Sequence, residues 1–390
     1  MGRGEAARSL IAALALWLAG AALAGAFAGD PVPADDKVIG AAVVSDPNAS
    51  FVDLAARRAE LVRVTSPRVI AALRALKPCE SLPYPEPPLG QMVIPPYYLS
   101  GRHGPVNPAH AVAERPYVRF ETAVAMAATA YAATGDAGQA ECLVSILDHW
   151  ARVSALLDYD RSQSPQAWYT VEWTAAAAAL ALSVVRGAPG LDRKRLDNVT
   201  TWLVPVAQWQ LAQVDRDRDG TSARNNHAHW RGLMATAVGV VAANDALFRR
   251  GLAAFRDAVA SLDAAGAWPL EMARKERALH YQSFALQPLV LIAELAWRQG
   301  IDLYALSANG RTIHDAARFL LRALADTGVV AHYTPEPQYS ESLKPGSGEF
   351  AWAEFYARRF PGESLAPWLG APLFNRRLGG GATVYVAPTR

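Results

Sequence analysis

The chain has 390 residues, is 52% apolar and carries 38 Lys and Arg against 36 Asp and Glu. So even a balance excludes bulk electrostatic capture by nucleic acid or an anionic membrane surface, and any anionic partner must be drawn in locally. The apolar content is enough to bury a sizeable core.

Residues 1–28 read as an export signal. Arg3 and Arg8 precede an apolar run at 10–19, and Ala26-Phe27-Ala28 ahead of Gly29 has the small-x-small form that signal peptidase cuts. A single membrane anchor fits less well, because the apolar part is padded with Ala and Gly and ends at that cleavage-like site. No later segment approaches twenty apolar residues without charges, so no membrane span is expected in the mature chain, 29–390, read as one domain. The two cysteines, Cys79 and Cys142, form an even pair in an exported chain and are expected to be bridged.

Nine segments largely repeat apolar residues at i, i+3, i+4 and i+7 and are expected to be helices: 54–77, 119–134, 139–157, 166–186, 192–214, 229–243, 245–264, 275–298 and 313–326. Gly135-Asp136-Ala137, Gly187-Ala188-Pro189-Gly190, Gly266 and Gly300 separate them as short turns. Helices of this number around one core fit an all-α fold, an α/α toroid of nested hairpins, better than a small bundle. Pro67, Pro205 and Pro288 are expected to kink or split the helices that hold them.

Residues 83–116, dense in Pro, Gly and Tyr, are too long for a simple connector and read as a lid. Near the C-terminus, Ala382-Thr383-Val384-Tyr385-Val386 favours a short edge strand.

The chemistry is concentrated in two stretches. Asn225-Asn226-His227-Ala228-His229-Trp230 and Arg274-Lys275-Glu276-Arg277-Ala278-Leu279-His280-Tyr281 supply an amide, an imidazole, two guanidinium groups and a phenol. That set suits stabilising an anion and moving a proton at carbon, as an acidic sugar requires. Arg119, Arg224, Arg376 and Arg377 add basic residues set among apolar and aromatic ones. Taken singly, each reads as an ordinary surface arginine, a hydrogen-bonded histidine or a packed aromatic; their joint occurrence is the signal.

Other sites are weaker. His227 and His229 at i, i+2 on a helix point their rings apart, with no further ligands at zinc-like spacing. Asp215-Arg216-Asp217-Arg218-Asp219-Gly220 begins like a calcium loop, but its twelfth position is Asn226 and its arginines offset the charge, so it reads as a solvated turn. Phosphate-binding, dinucleotide-binding and Gly-x-Ser-x-Gly motifs are absent from the sequence.

The motifs Asn-Asn-His-x-x-Trp and Arg-x-x-Arg-Ala-Leu-x-Tyr, followed by Arg377-Leu378-Gly379-Gly380, resemble polysaccharide lyase family 5, the periplasmic alginate (polymannuronate) lyases of Gram-negative bacteria. The likeness covers nearly all of the mature chain. It implies an incomplete (α/α)6 toroid with a deep cleft, a periplasmic enzyme that needs no cofactor and no metal, and an anionic polysaccharide as partner; a monomer is expected. By the same resemblance Asn226, His227 and Arg274 neutralise the substrate carboxylate and Tyr281 is the catalytic tyrosine. Tyr98 matches the lid tyrosine, while Arg119, Gln166, Tyr169, Trp173, Trp230 and Arg377 match residues that line the cleft or touch sugar. Cys79 and Cys142 correspond to the family's cysteine pair.

Breaking a uronate polymer by β-elimination requires loss of the C5 proton, which is only weakly acidic beside a charged carboxylate. Donors at Asn226, His227 and Arg274 would stabilise the enolate dianion that develops. A tyrosine ordinarily titrates at about 10, and a nearby cation favours its phenolate. If the helix reaches back to Arg274, that residue lies two turns from Tyr281 on one face, with Arg277 at i, i+4. Two rival readings remain at this level. One is a glycoside hydrolase using Glu271 and Glu341 as its carboxylates. The other is a non-catalytic polysaccharide-binding protein of an export assembly.

Overall fold

The computed structural model describes residues 30–100, 103–362 and 365–390, and the expected export signal lies outside them. The N-terminal part holds α1 (Asp36–Ala41), α2 (Leu54–Leu61) and α3 (Pro67–Arg74). The body continues with α4 (Pro108–Thr134), α5 (Ala137–Arg152), α6 (Pro165–Val185), α7 (Arg193–Asp215) and α8 (Asn226–Val241). It closes with α9 (Asp245–Ala260), α10 (Pro269–Met272), α11 (Ala278–Arg298), α12 (Ile313–Ala325), α13 (Ala351–Arg359) and α14 (Ala382–Val386).

Burial sorts these helices into two layers. In α6 nearly every residue from Ala167 to Val185 is buried, so this Ala-rich helix is apolar on all sides and belongs to the inside. It is the one helix among the described residues long and apolar enough to cross a membrane, and 94% of that stretch is buried within the fold. By contrast α9 and α12 bury one stripe each and leave the other face to water. The inner helices α4, α6, α8 and α11 pack each on the next, α13 follows α11, and α14 bridges α13 back to α4. Outer helices α5, α7, α9 and α12 alternate with them along the chain. The inner helices therefore run the same way and present their N-terminal ends to one side of the ring.

Small residues allow the closest contacts. A Cβ on Gly239 of α8 would lie 2.5 Å from the backbone nitrogen of Phe248 on α9, and one on Gly251 would collide with Thr236 and the carbonyl of Gly232. Between α4 and α5, Gly135 takes φ 72°, and the Asp136 carboxylate then caps the new helix by accepting from Gly138 N at 2.9 Å.

Strands are few among the described residues. β1 (Val32–Pro33) pairs in parallel with β4 (Ile301–Asp302), while β2 (Tyr98–Ser100) and β3 (His103–Val106) form an antiparallel hairpin. That hairpin is the tip of the lid. Its stem is tied to the body by the Cys79–Cys142 disulfide, which joins the segment before the lid to α5.

The structure departs from the sequence reading in four places. Pro67 does split the expected 54–77 helix, taking the N-terminal position of α3, but Pro205 and Pro288 do not split theirs and stay inside the continuous helices α7 and α11, where a kink is the part of the expectation left open. The lid ends at Asn107, not 116, because Pro108 starts α4: its missing N–H is one a helix start leaves free, and Asn107 caps it by accepting from Ala109 N at 3.0 Å. Residues 382–386 form the helix α14 rather than a strand, with Thr383 and Val384 buried against neighbouring helices. Finally, α11 begins at Ala278, so Arg274 and Tyr281 do not share a helix face. Arg274 stands before a 3₁₀ turn in which Lys275 takes φ 55°.

Candidate active site

The N-terminal ends of α6, α8 and α11 and the first half of α4 converge on one cleft. α4 brings Glu114 and Glu121, α6 brings Gln166, Tyr169, Glu172 and Trp173, α8 begins at Asn226 and His227, and α11 begins just before Tyr281. Ring contacts knit these ends together: Tyr169 stacks on His227 at 3.6 Å between centroids, and Trp173 meets both His227 at 6.1 Å and Phe284 at 6.2 Å. Each helix start is the positive end of a dipole, which favours an anion in the cleft even where caps such as Asn107 and Asn225 already take some of the first N–H groups.

Tyr281 lies between one cation and the lid. The Arg274 guanidinium sits 3.9 Å from the centre of its ring. From the lid, the Tyr98 hydroxyl comes to 3.5 Å of the Tyr281 hydroxyl, and Arg277 stacks on Tyr98 at 5.0 Å and Tyr339 at 4.6 Å. Burial, then the neighbouring Tyr281, pushes the Tyr98 phenol well above its ordinary range, so Tyr98 stays protonated and is able to donate. Arg277 therefore serves the lid rather than Tyr281, and its Nε is buried without a partner among the described residues.

His227 is held from below by a carboxylate. Glu172, fully buried, places Oε2 3.6 Å from His227 Nδ1 and pairs through Oε1 with Arg231, whose other nitrogen bonds the carbonyl of Ser222. The hydroxyl of Ser222 in turn meets that of Tyr169 at 2.7 Å. Burial lowers the His227 pKa, against the pull of Glu172, and the charges of Arg231 and Arg274 lower it further. The ring is thus neutral at neutral pH. Next to it, Asn226 donates its backbone N–H to Glu271 at 2.7 Å and its amide nitrogen to both Glu271 oxygens at 3.0 Å.

Arg377, on a 3₁₀ turn near the C-terminus, closes the other wall. It stacks on Trp173 at 3.9 Å and pairs with Glu114 at 2.7 Å and Glu121 at 3.3 Å, while Arg376 also reaches Glu121 at 2.7 Å. Burial alone would raise Glu114, but the bond from His110 and the charges of Arg377 and Arg376 outweigh it and hold the acid at about 2. His110 donates its Nδ1–H to the carbonyl of Pro95 at 3.0 Å, so this pair also anchors the lid stem.

The structure thus brings together Tyr98, Tyr169, Trp173, Asn226, His227, Arg274, Tyr281 and Arg377, and helical spacing puts Gln166 on the face of Tyr169 and Trp173. Two expected contacts are placed elsewhere. Trp230 is wholly buried against Phe284, behind the cleft wall. Arg119 is exposed on α4, and helical geometry turns it about 140° from Glu114. The carboxylates Glu114, Glu121, Glu172 and the guanidinium of Arg231 were invisible as site residues because no local pattern links them to the two motifs.

Neither rival carboxylate suits hydrolysis. Glu271 is fully buried beneath Asn226, and Glu341 is an exposed partner of Lys344 at 2.6 Å. A separate cavity of about 690 Å³ opens at the opposite ends of α11 and α13. Its Arg298, Arg358 and Arg359 are already paired with Asp53, Glu60 and Glu294, so it is poorly suited to an acidic sugar.

Comparison with known proteins agrees with this architecture. Residues 62–329 match the alginate lyase family. A polysaccharide lyase of Stenotrophomonas maltophilia (strain K279a) is 34% identical over 82% of this chain and 93% of its own length. An alginate lyase of Azotobacter vinelandii is 28% identical, covering 77% of this chain and 82% of its own. Among solved structures, alginate lyase A1-III from Sphingomonas species A1 superposes with a TM-score of 0.83 at 42% identity, over 90% of this chain and 99% of that one. A variant of alginate lyase A1-III complexed with a tetrasaccharide gives 0.84 at 42%, over 89% and 97%.

The fold is an α/α toroid and the protein a polysaccharide lyase. More narrowly, the chain belongs to the alginate lyase family.

Proposed function

We propose that this protein cleaves alginate, with mannuronate-rich polymer as the first substrate, by β-elimination that leaves a 4,5-unsaturated uronate end. The observation that carries this reading is the position of the Tyr281 hydroxyl, 3.5 Å from the Tyr98 hydroxyl, on a ring covered by the Arg274 guanidinium.

In the proposed reaction Asn226, His227 and Arg274 hold the substrate carboxylate and stabilise the dianion formed as the C5 proton leaves. The electron pair of the C5–H bond becomes the C4–C5 double bond as the C4–O bond breaks. In a mannuronate unit the C5 proton and the departing oxygen lie on the same side, so Tyr281 takes the proton and returns one to the leaving oxygen. Tyr281 acts from its phenolate form, and Arg274 offsets that charge before the proton is taken and again once it has passed to the leaving oxygen. On a unit of opposite C5 configuration, His227 becomes the base and Tyr281 the acid. Gln166, Tyr169, Trp173 and Arg377 form the wall that grips neighbouring sugars, and Tyr98 closes the lid over them.

One relative is described only as a polysaccharide lyase, which favours a second reading in which polyglucuronate or a related polyuronate is also cut. We further infer export to the periplasm, with residues 29–390 acting as one monomeric unit; the disulfide supports an oxidising compartment. The test is to incubate the purified protein with a panel of polyuronates and follow the ultraviolet absorbance of unsaturated ends. Fastest growth on mannuronate-rich alginate is expected, and no rise on any polyuronate overturns the reading.

A further inference from the structure

The proposed reaction asks Asn226 to donate to an anion, yet the amide is set the wrong way round for it. Its nitrogen is engaged by the two Glu271 oxygens at 3.0 Å, and its Oδ1 is buried with no partner among the described residues. An incoming carboxylate would meet an oxygen. Amide nitrogen and oxygen exchange places by a half-turn that alters no heavy-atom outline. The half-turn puts Oδ1 between the Glu271 oxygens, which is tolerable only if one of them carries a proton.

The surroundings of Glu271 favour that proton. The residue is fully buried, and the hydrogen bonds to its carboxyl among the described residues all come from Asn226. The groups that face it are the backbone and amide of Asn226 at the start of α8 and, at longer range, the Arg274 guanidinium. A helix start and a distant cation return only part of the several kcal/mol that burying an unpaired carboxylate costs. Burial accordingly raises the Glu271 pKa.

We propose that Glu271 is a positioning residue held as a neutral carboxylic acid: it donates its proton to Asn226 Oδ1 and so turns the Asn226 amide to present N–H groups to the substrate carboxylate. The Asn226 backbone N–H remains bonded to the other Glu271 oxygen. This rests on the catalytic reading of Asn226 given above.

Glu271→Gln tests it, because a glutamine side chain reproduces the donor and acceptor of a protonated glutamate and not those of a carboxylate. With wild-type lyase activity and its loss in Tyr281→Phe established first, a failure of the overall reading is seen separately. Glu271→Gln is expected to keep kcat within about threefold and to lose the alkaline fall in rate caused by ionising Glu271. Glu271→Ala is expected to lose about a hundredfold, the effect of removing one oriented donor. In an infrared difference spectrum at neutral pH, wild type minus Glu271→Gln should show a protonated-carboxyl band. A carboxylate band there, or a hundredfold loss in a folded Glu271→Gln protein, overturns the proposal. Should Glu271→Gln not fold, the band is sought in wild type alone, where its absence at neutral pH overturns the proposal and its loss through the alkaline limb supports it.

Discussion

The Arg274 guanidinium lies 3.9 Å from the ring centre of Tyr281 although Arg274 stands outside the helix that carries Tyr281. The turn at Lys275, with its positive φ, folds Arg274 back over the first turn of α11. Cation and phenol are thus fixed by a bend in the backbone, which is stiffer than two long side chains meeting along one helix.

Removing the Tyr281 hydroxyl should therefore abolish the reaction while leaving the ring against Arg274. Tyr281→Phe is expected to lower kcat by about a thousandfold, the scale of acid–base catalysis, with polymer still bound. Tyr98→Phe, which removes a donor that only neighbours the reacting oxygen, should lose about tenfold. Rates of ultraviolet absorbance growth on alginate check both, and near-normal turnover of Tyr281→Phe would exclude its assignment.

Arg377 joins Trp173, Glu114 and Glu121 through a planar fork that lysine cannot copy. Arg377→Lys is expected to raise KM about tenfold with kcat nearly unchanged, since it acts on sugar binding away from the reacting carbon. A fall in kcat at constant KM would show that the arginine acts on the transition state instead.

The buried Glu172–Arg231 pair is costly to break from one side. Glu172→Ala strands a guanidinium that is only 3% exposed, and a loss of about 3–5 kcal/mol is expected in denaturant unfolding. Replacing both residues with Leu and Met should recover most of that stability but not activity, because His227 then lacks its support. Equal stability of Glu172→Ala and wild type would contradict the pairing.

His229 predicts an acid limit to the fold. Its Nδ1–H bonds the Ala285 carbonyl at 3.0 Å, and burial lowers its pKa from 6.5 to about 4. Between those values the unfolded chain binds a proton that the folded chain refuses. Stability is therefore complete above pH 6.5 and declines as pH falls to about 4, by about 3 kcal/mol. Melting temperatures across this range should fall less steeply in His229→Asn than in wild type.

Much of this was legible in the sequence because period and motif are local. The alternation of inner and outer helices follows from apolar spacing, and Asn226, His227 and Tyr281 announce themselves within short stretches. Pro108 shows where such reading fails: the same residue that ends a helix in its interior begins one at its first position, and only the Asn107 cap distinguishes the cases. Thr383 and Val384 favour a strand alone, yet packing makes them helical. Trp230 has the composition of a sugar platform, and only the position of Phe284 shows that it is wall. Glu172 and Glu271 meet the histidine and asparagine from 55 and 45 residues away, a pairing that the ring closure alone creates.

Three inner helices, α6, α8 and α11, open towards the same hollow, so part of its pull on a polyanion is written into peptide bonds rather than into any replaceable residue. Stripping the arginines one by one should weaken the grip without ever extinguishing it, and no change of acidity can switch that remainder off. Evolution within such a ring is free to exchange the basic residues at the mouth for new sugars, because the welcome for negative charge comes with the scaffold.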